Sequence, residues 1–225
     1  MTKTRLLGAM SAGMFYFAMA TASAATITQF GDDVGFTYDN ATLYGTGVVF
    51  GNSIFFTPAA FLAESLDGAG LDTSTATLNI DINATTDGFS MNNFTIYEDG
   101  DYRLKGSGAS VSADAFFRAT SLTTACGFPP CQDEVLFDAG TLTDADGALA
   151  LWDMGASLNL FWGNDTDVRL TVQNTLTAET LASGEIAFIQ KKFSITIPEV
   201  PVPATVWLFG SGLLGLIGVA RRKTS

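Results

Sequence analysis

Along most of the chain, apolar residues recur at every second position, the spacing that places one face of a β-strand in a core and the other in water. Thr77 to Asn83 shows it most clearly, with Leu78, Ile80 and Ile82 alternating with Thr77, Asn79, Asp81 and Asn83. The same period marks Ile27 to Phe30, Phe36 to Tyr38, Val48 to Phe50, Ile54 to Phe56, and the set Val111, Ala113, Ala115 and Phe117. It continues in Val135 and Phe137, in Leu158, Leu160 and Trp162, and in Val168, Leu170 and Val172. Ile186 with Phe188, then Phe193, Ile195 and Ile197, predict two further strands. Pro58 to Leu66 departs from the pattern and reads as a short helix. Phe94 to Leu104 reads as the strongest hairpin, with Asp99-Gly100 at its acidic turn and the glycine supplying the turn's positive φ. Short strands with Asp-Gly, Gly-Asn and Asn-Asp punctuation predict an all-β fold, an antiparallel β-sandwich of jelly-roll-like type. The 18 phenylalanines suit the core of such a two-sheet fold, where aromatic rings from facing sheets interdigitate.

The two ends have a different pattern. Lys3 and Arg5 precede an apolar stretch from Leu6 to Ala20, and Ala22-Ser23-Ala24 offers a small-residue cleavage site before Ala25. That is the pattern of a removable signal peptide, residues 1–24, which brings in the Sec translocon and signal peptidase as partners. At the other end, Ala204 to Ala220 carries no charge and is just long enough for a transmembrane helix across a bilayer core of ~30 Å. Arg221, Arg222 and Lys223 follow it and act as the stop, fixing a cytoplasmic C-terminus. Ahead of the run, Pro198, Pro201 and Pro203 can neither continue a helix nor donate to a sheet, so the segment stays extended and open to an enzyme.

Pro198, Glu199, Val200, Pro201, Val202, Pro203 and Ala204, followed by Trp207 to Leu216 and the basic cluster, resemble the PEP-CTERM family of protein-sorting signals in its Val-Pro-x-Pro-Ala variant. The eponymous Pro-Glu-Pro is absent, because Val202 stands between Pro201 and Pro203 and Glu199 comes earlier. The resemblance covers the tail alone. It implies an exosortase as partner, a membrane-embedded cysteine protease or transpeptidase of Gram-negative bacteria that make extracellular polysaccharide. It further implies a transient single-pass inner-membrane intermediate and delivery to the cell envelope or extracellular matrix. The organisation expected is then a signal peptide at 1–24, an exported β-sandwich domain at 25–197 and a sorting signal at 198–225. That signal comprises a proline motif at 198–204, a transmembrane helix at 204–220 and a basic tail at 221–225.

Charge sharpens the picture of the exported part. All 23 acidic residues lie between Ala25 and Glu199 with only six cations, a formal −17 that repels phosphate backbones and argues against a nucleic-acid partner. Cys126 and Cys131, separated by Gly-Phe-Pro-Pro, read as a disulfide pinning a loop between two strands of an exported protein. The chain has no histidine, which removes the commonest general base and zinc ligand and leaves carboxylates as the only ordinary acid-base groups.

Acidic turns are the candidate cation sites, calcium being the cation that takes clustered carboxylates. They are Glu98 with Asp99 and Asp101, Asp165 with Asp167, and the favoured pair, Asp144 and Asp146 before Gly147. Acidic residues and glycine also make good turns without any ion. Trp152, Trp162, Tyr44, Tyr97 and Tyr102 are candidates for stacking on sugar rings; Trp162 continues a core face, whereas the parity of Trp152 with Ala148 and Ala150 leaves its side open. The function expected is a non-enzymatic structural or adhesive component of biofilm or floc that binds extracellular polysaccharide. The alternative is a surface glycan-active enzyme using an Asp/Glu pair.

Overall fold

The computed structural model describes residues 25–143 and 146–196. The expected signal peptide, with Ala22 and Ala24, the sorting tail from Pro198 and the metal candidate Asp144 lie outside the described residues. Two antiparallel sheets of six strands face one another. The first contains β1 (Thr26–Phe30), β2 (Val34–Asp39), β6 (Gly70–Ala84), β11 (Asp167–Thr180), β8 (Ser110–Ser121) and β9 (Gln132–Asp138), in that lateral order. In the second, β10 (Leu149–Asn159), β7 (Asn93–Lys105), β12 (Ile186–Thr196), β4 (Ser53–Phe56) and β3 (Val48–Phe50) follow one another. β5 (Leu62–Leu66) shares the outer edge of β12 with β4.

Alternation decides what each strand contributes to the core. β11 turns Val168, Leu170, Val172, Leu176 and Ala178 inward, and β6 adds Leu78, Ile80 and Ile82. From the opposite sheet come Phe94, Ile96, Tyr102 and Leu104 of β7, and Ala187, Ile189, Phe193 and Ile195 of β12. These residues form one continuous hydrophobic core shared by the two sheets. Phe56 stacks on Phe193 at 4.8 Å between ring centroids, and Tyr44 meets both Phe61 and Phe193 edge-on. The disulfide expected between Cys126 and Cys131 is present and closes the loop between β8 and β9.

Three local expectations are overturned. The stretch Pro58 to Leu66 contains no helix; its second half is β5, which pairs with the first half of β12. Phe94 to Leu104 is not a hairpin but the body of one straight strand, β7, with Gly100 in mid-ladder between Trp152 and Lys191. Glycine is needed there for space, not for a turn: a Cβ on Gly100 would fall 1.9 Å from the Gln190 carbonyl oxygen and 2.8 Å from Trp152 Nε1. The indole crosses above Gly100 and donates its Nε1–H to that same oxygen at 3.1 Å. Finally, the two strands expected around Ile186 and Phe193 are a single strand, β12, in which the odd-numbered positions from Ala187 to Ile195 face inward and Ile186 and Phe188 face out.

Candidate functional site

Strict alternation carries three polar side chains into the core as well. Glu98 occupies the inner face of β7 between Ile96 and Gly100, Asn174 that of β11 between Val172 and Leu176, and Lys191 that of β12 between Ile189 and Phe193. All three are fully buried, and Tyr44, from the loop between β2 and β3, closes over them. Asn174 Nδ2 donates to both Glu98 oxygens, at 2.8 Å to Oε2 and 3.0 Å to Oε1. The Asn174 carbonyl oxygen accepts from the Tyr44 hydroxyl at 2.9 Å, a proton shared with the Ala76 carbonyl at 3.0 Å. Lys191 Nζ lies 2.5 Å from Glu98 Oε2, a fully buried ion pair. The ring of Phe193 lies 4.9 Å from the same nitrogen.

Burial is the main influence on this amine. It pulls the Lys191 pKa from 10.5 down to about 8, against the opposing pull of Glu98 and the weaker charge of Asp99. Burial, reinforced by the Glu98 charge, pushes the Tyr44 phenol far above its ordinary value and keeps it a proton donor. The arrangement therefore brings together an amine that loses its proton readily, a carboxylate on the same side and a carboxamide polarised by a hydroxyl.

Among the described residues, two of the surface depressions have volumes of about 480 Å³ each. One lies beside the disulfide loop and is lined by Phe128, Pro129, Gln132, Asp133, Glu134 and Phe161. Phe128 is completely exposed and Phe161 is 70% exposed, with the Trp162 ring edge-on to Phe161 at 5.0 Å. The other lies on the outer face of the second sheet, where Glu64, Phe188 and Arg103 form a row across β5, β12 and β7, flanked by Asp101 and Gln190. Glu64 and Asp101 lie on strands separated by β12, roughly 10 Å apart across the sheet before their two-residue offset.

The candidates named from sequence are scattered by the fold. Of the aromatic residues, Tyr97 alone is well exposed; Tyr44, Tyr102 and Trp152 are buried and Trp162 is half-buried against the core. The side of Trp152, which parity left open, is the core, because even-numbered positions of β10 face inward. Glu98 is turned away from solvent, and so from any cation shared with Asp99 and Asp101. Asp165 is buried too and its carboxylate is fully engaged: the Ser121 and Thr123 hydroxyls, Trp162 Nε1 at 3.2 Å and the backbone N–H groups of Thr166 and Asp167 all donate to it. Burial opposes its ionisation, but those donors outweigh burial and hold its pKa below the ordinary value. Asp146 has a left-handed backbone, φ 51, ahead of Gly147. Among the described residues no group of three or more potential ligands is gathered in one place to hold a metal.

Sequence reasoning missed Phe128 and Phe161, although Phe128 stands between glycine and two prolines, where no strand can draw it inward. It also missed the buried trio, whose signal was available: each member occupies a core position in an otherwise apolar alternation.

The PEP-CTERM protein-sorting motif matches residues 199–223. The chain carries that signal, which marks a protein exported, handled by an exosortase and sorted to the cell envelope. No curated protein matches the chain. Among solved structures it is similar to that of infectious bursal disease virus Gt strain, at 11% identity and a TM-score of 0.28, covering 85% of this chain and 46% of that one. The infectious bursal disease virus VP2 subviral particle aligns at 12% identity and a TM-score of 0.28, covering 85% and 48%. TmCBM61, solved in complex with beta-1,4-galactotriose, aligns at 10% identity and a TM-score of 0.23, covering 79% of this chain and 90% of that one. The chain spans less than half the length of the viral chains, and likenesses this distant carry no argument about what it binds.

Proposed function

We propose that the protein is a non-enzymatic structural or adhesive component of the envelope or extracellular matrix of a Gram-negative bacterium, and that it grips extracellular polysaccharide there. The sorting motif at residues 199–223 carries this reading, since it directs an acidic, disulfide-closed β domain to the compartment where such polymers lie. The depression beside the disulfide loop supports the ligand class. Phe128 and Phe161 present apolar ring faces to solvent, while Gln132, Asp133 and Glu134 supply acceptors for sugar hydroxyls. In the proposed route the tail holds the chain briefly in the inner membrane, with Arg221, Arg222 and Lys223 on the cytoplasmic side, until the exosortase acts near Pro198 to Ala204. Calcium at Asp144 and Asp146 is a further element of the proposal, as a cation that would stiffen that turn.

The experiment is binding of the purified exported protein to the extracellular polysaccharide of its own host, with and without calcium. Phe128→Ala and Phe161→Ala are each expected to weaken binding by about 2- to 10-fold, the worth of one aromatic contact. Binding unchanged in both variants would place the ligand elsewhere. A glycan-active enzyme is the second reading, and Glu64 with Asp101 in the other depression is the pair that favours it. Their strand separation exceeds the roughly 5–9 Å that glycoside hydrolysis requires, unless the side chains lean together. Sugar released in the same incubation would make that reading the correct one.

A further inference from the structure

The buried trio has the parts of a covalent reaction, not only of an ion pair. We propose that Lys191 and Asn174 join in an intramolecular isopeptide bond, with Glu98 as proton carrier and Tyr44 as the donor to the developing oxyanion. Lys191 Nζ and Asn174 Nδ2 are both gathered on the same oxygen, Glu98 Oε2, at 2.5 and 2.8 Å, so the amine and the carboxamide share one proton acceptor. Amine and amide do not react in water because the amine is protonated and the amide a poor electrophile. Here every participant is fully or almost fully buried, among Phe56, Phe61 and Phe193. With the charged pair out of contact with solvent, hydration no longer favours the ions and proton transfer from ammonium to carboxylate becomes inexpensive. Two groups held on one carboxylate by a folded core also have a high effective concentration, reaching about 10⁵ M or more where they are well oriented.

The step balances without a co-reactant. Glu98 takes a proton from the Lys191 ammonium, and the neutral nitrogen forms a bond to Asn174 Cγ. Negative charge collects on Asn174 Oδ1, where the Tyr44 hydroxyl already donates at 2.9 Å. Glu98 then gives its proton to the departing Nδ2 and takes one from the attacking nitrogen as the Cγ–Nδ2 bond breaks. One ammonia leaves, a secondary amide remains, and Glu98 ends protonated.

The position of the bond suits the proposed setting, although the inference rests on the core alone. β11 lies in the middle of one sheet and β12 in the middle of the other. β12 is also the strand that leads toward the sorting motif, so a pull on the C-terminus left by the exosortase reaches it first. An amide from Lys191 to Asn174 would tie that strand across the core to the facing sheet.

Mass spectrometry of the full exported protein tests this directly. Its mass is expected to be one ammonia below that of its sequence with the disulfide intact. Digestion of the denatured protein after glutamate cuts at Glu179 and Glu185, both between Asn174 and Lys191 in sequence. The two strand peptides are therefore expected to stay joined as one branched species. Peptides that separate, with or without ammonia loss, would overturn the proposal. Glu98→Gln is expected to give separate peptides at full mass, and a joined pair in that variant would overturn the role given to Glu98. Where the variant fails to accumulate, the wild-type digest alone is decisive.

Discussion

Replacing Glu98 with alanine is expected to lower the unfolding free energy by about 3–5 kcal/mol, read by denaturant titration at neutral pH. The effect is large because the substitution leaves the Lys191 amine in the core with no counter-charge, so that folding requires it to give up its proton, while Asn174 Nδ2 loses both of its acceptors. Tyr44 cannot compensate, since its hydroxyl proton is already committed to Asn174 Oδ1 and the Ala76 carbonyl. Replacing both charges together, Glu98→Leu with Lys191→Met, is expected to recover the part of the loss that comes from the unpaired charge, while Asn174 Nδ2 still lacks its two acceptors. Glu98→Ala also removes the proton carrier for the amide, so a protein that normally forms the bond loses that contribution in addition. A loss below about 1 kcal/mol for the single variant would mean that Glu98 faces water.

Trp152→Ala is expected to cost a similar amount, about 3–5 kcal/mol, because it empties a large core volume between β10 and β12. The indole is 3% exposed, and its hydrogen bond to the Gln190 carbonyl disappears with it. Gly100, which makes room for the ring, would then border a cavity instead of a side chain. Denaturant unfolding of the variant measures the cost, and polysaccharide binding should be unchanged in whatever fraction stays folded. An outward-facing sugar platform would behave oppositely, with stability altered by no more than about 0.5 kcal/mol and binding lost.

These two residues also show how far the fold was legible in the sequence. Where a strand is half-buried and its alternation unbroken, as in Thr77 to Asn83 or Val168 to Val172, the apolar positions name the core face directly. Asp99-Gly100 misled because that pair makes good turns, whereas tertiary contact with Trp152 and Gln190 requires glycine in mid-strand. Read without that turn, Phe94, Ile96, Glu98, Gly100, Tyr102 and Leu104 form a single inward series, and Glu98 is already in the core. Lys191 follows in the same way by counting back from Ile195 and Phe193. β5 misled for a different reason: Ala59, Ala60, Leu62, Ala63 and Glu64 favour a helix locally, but the free outer edge of β12 offers hydrogen bonds that decide the conformation. The buried trio was beyond composition alone, because three strands distant in sequence meet only once the two sheets are packed.

The destination of the protein depends on its tail being read and removed, and the mature C-terminus is the measurement that bears on this most directly. Protein recovered from the envelope of the exporting host should end upstream of Trp207, within or next to Pro198 to Ala204, as identified by mass spectrometry of its last peptide. Recovery of the chain with Trp207 to Lys223 still attached would contradict the account and make the tail a permanent anchor.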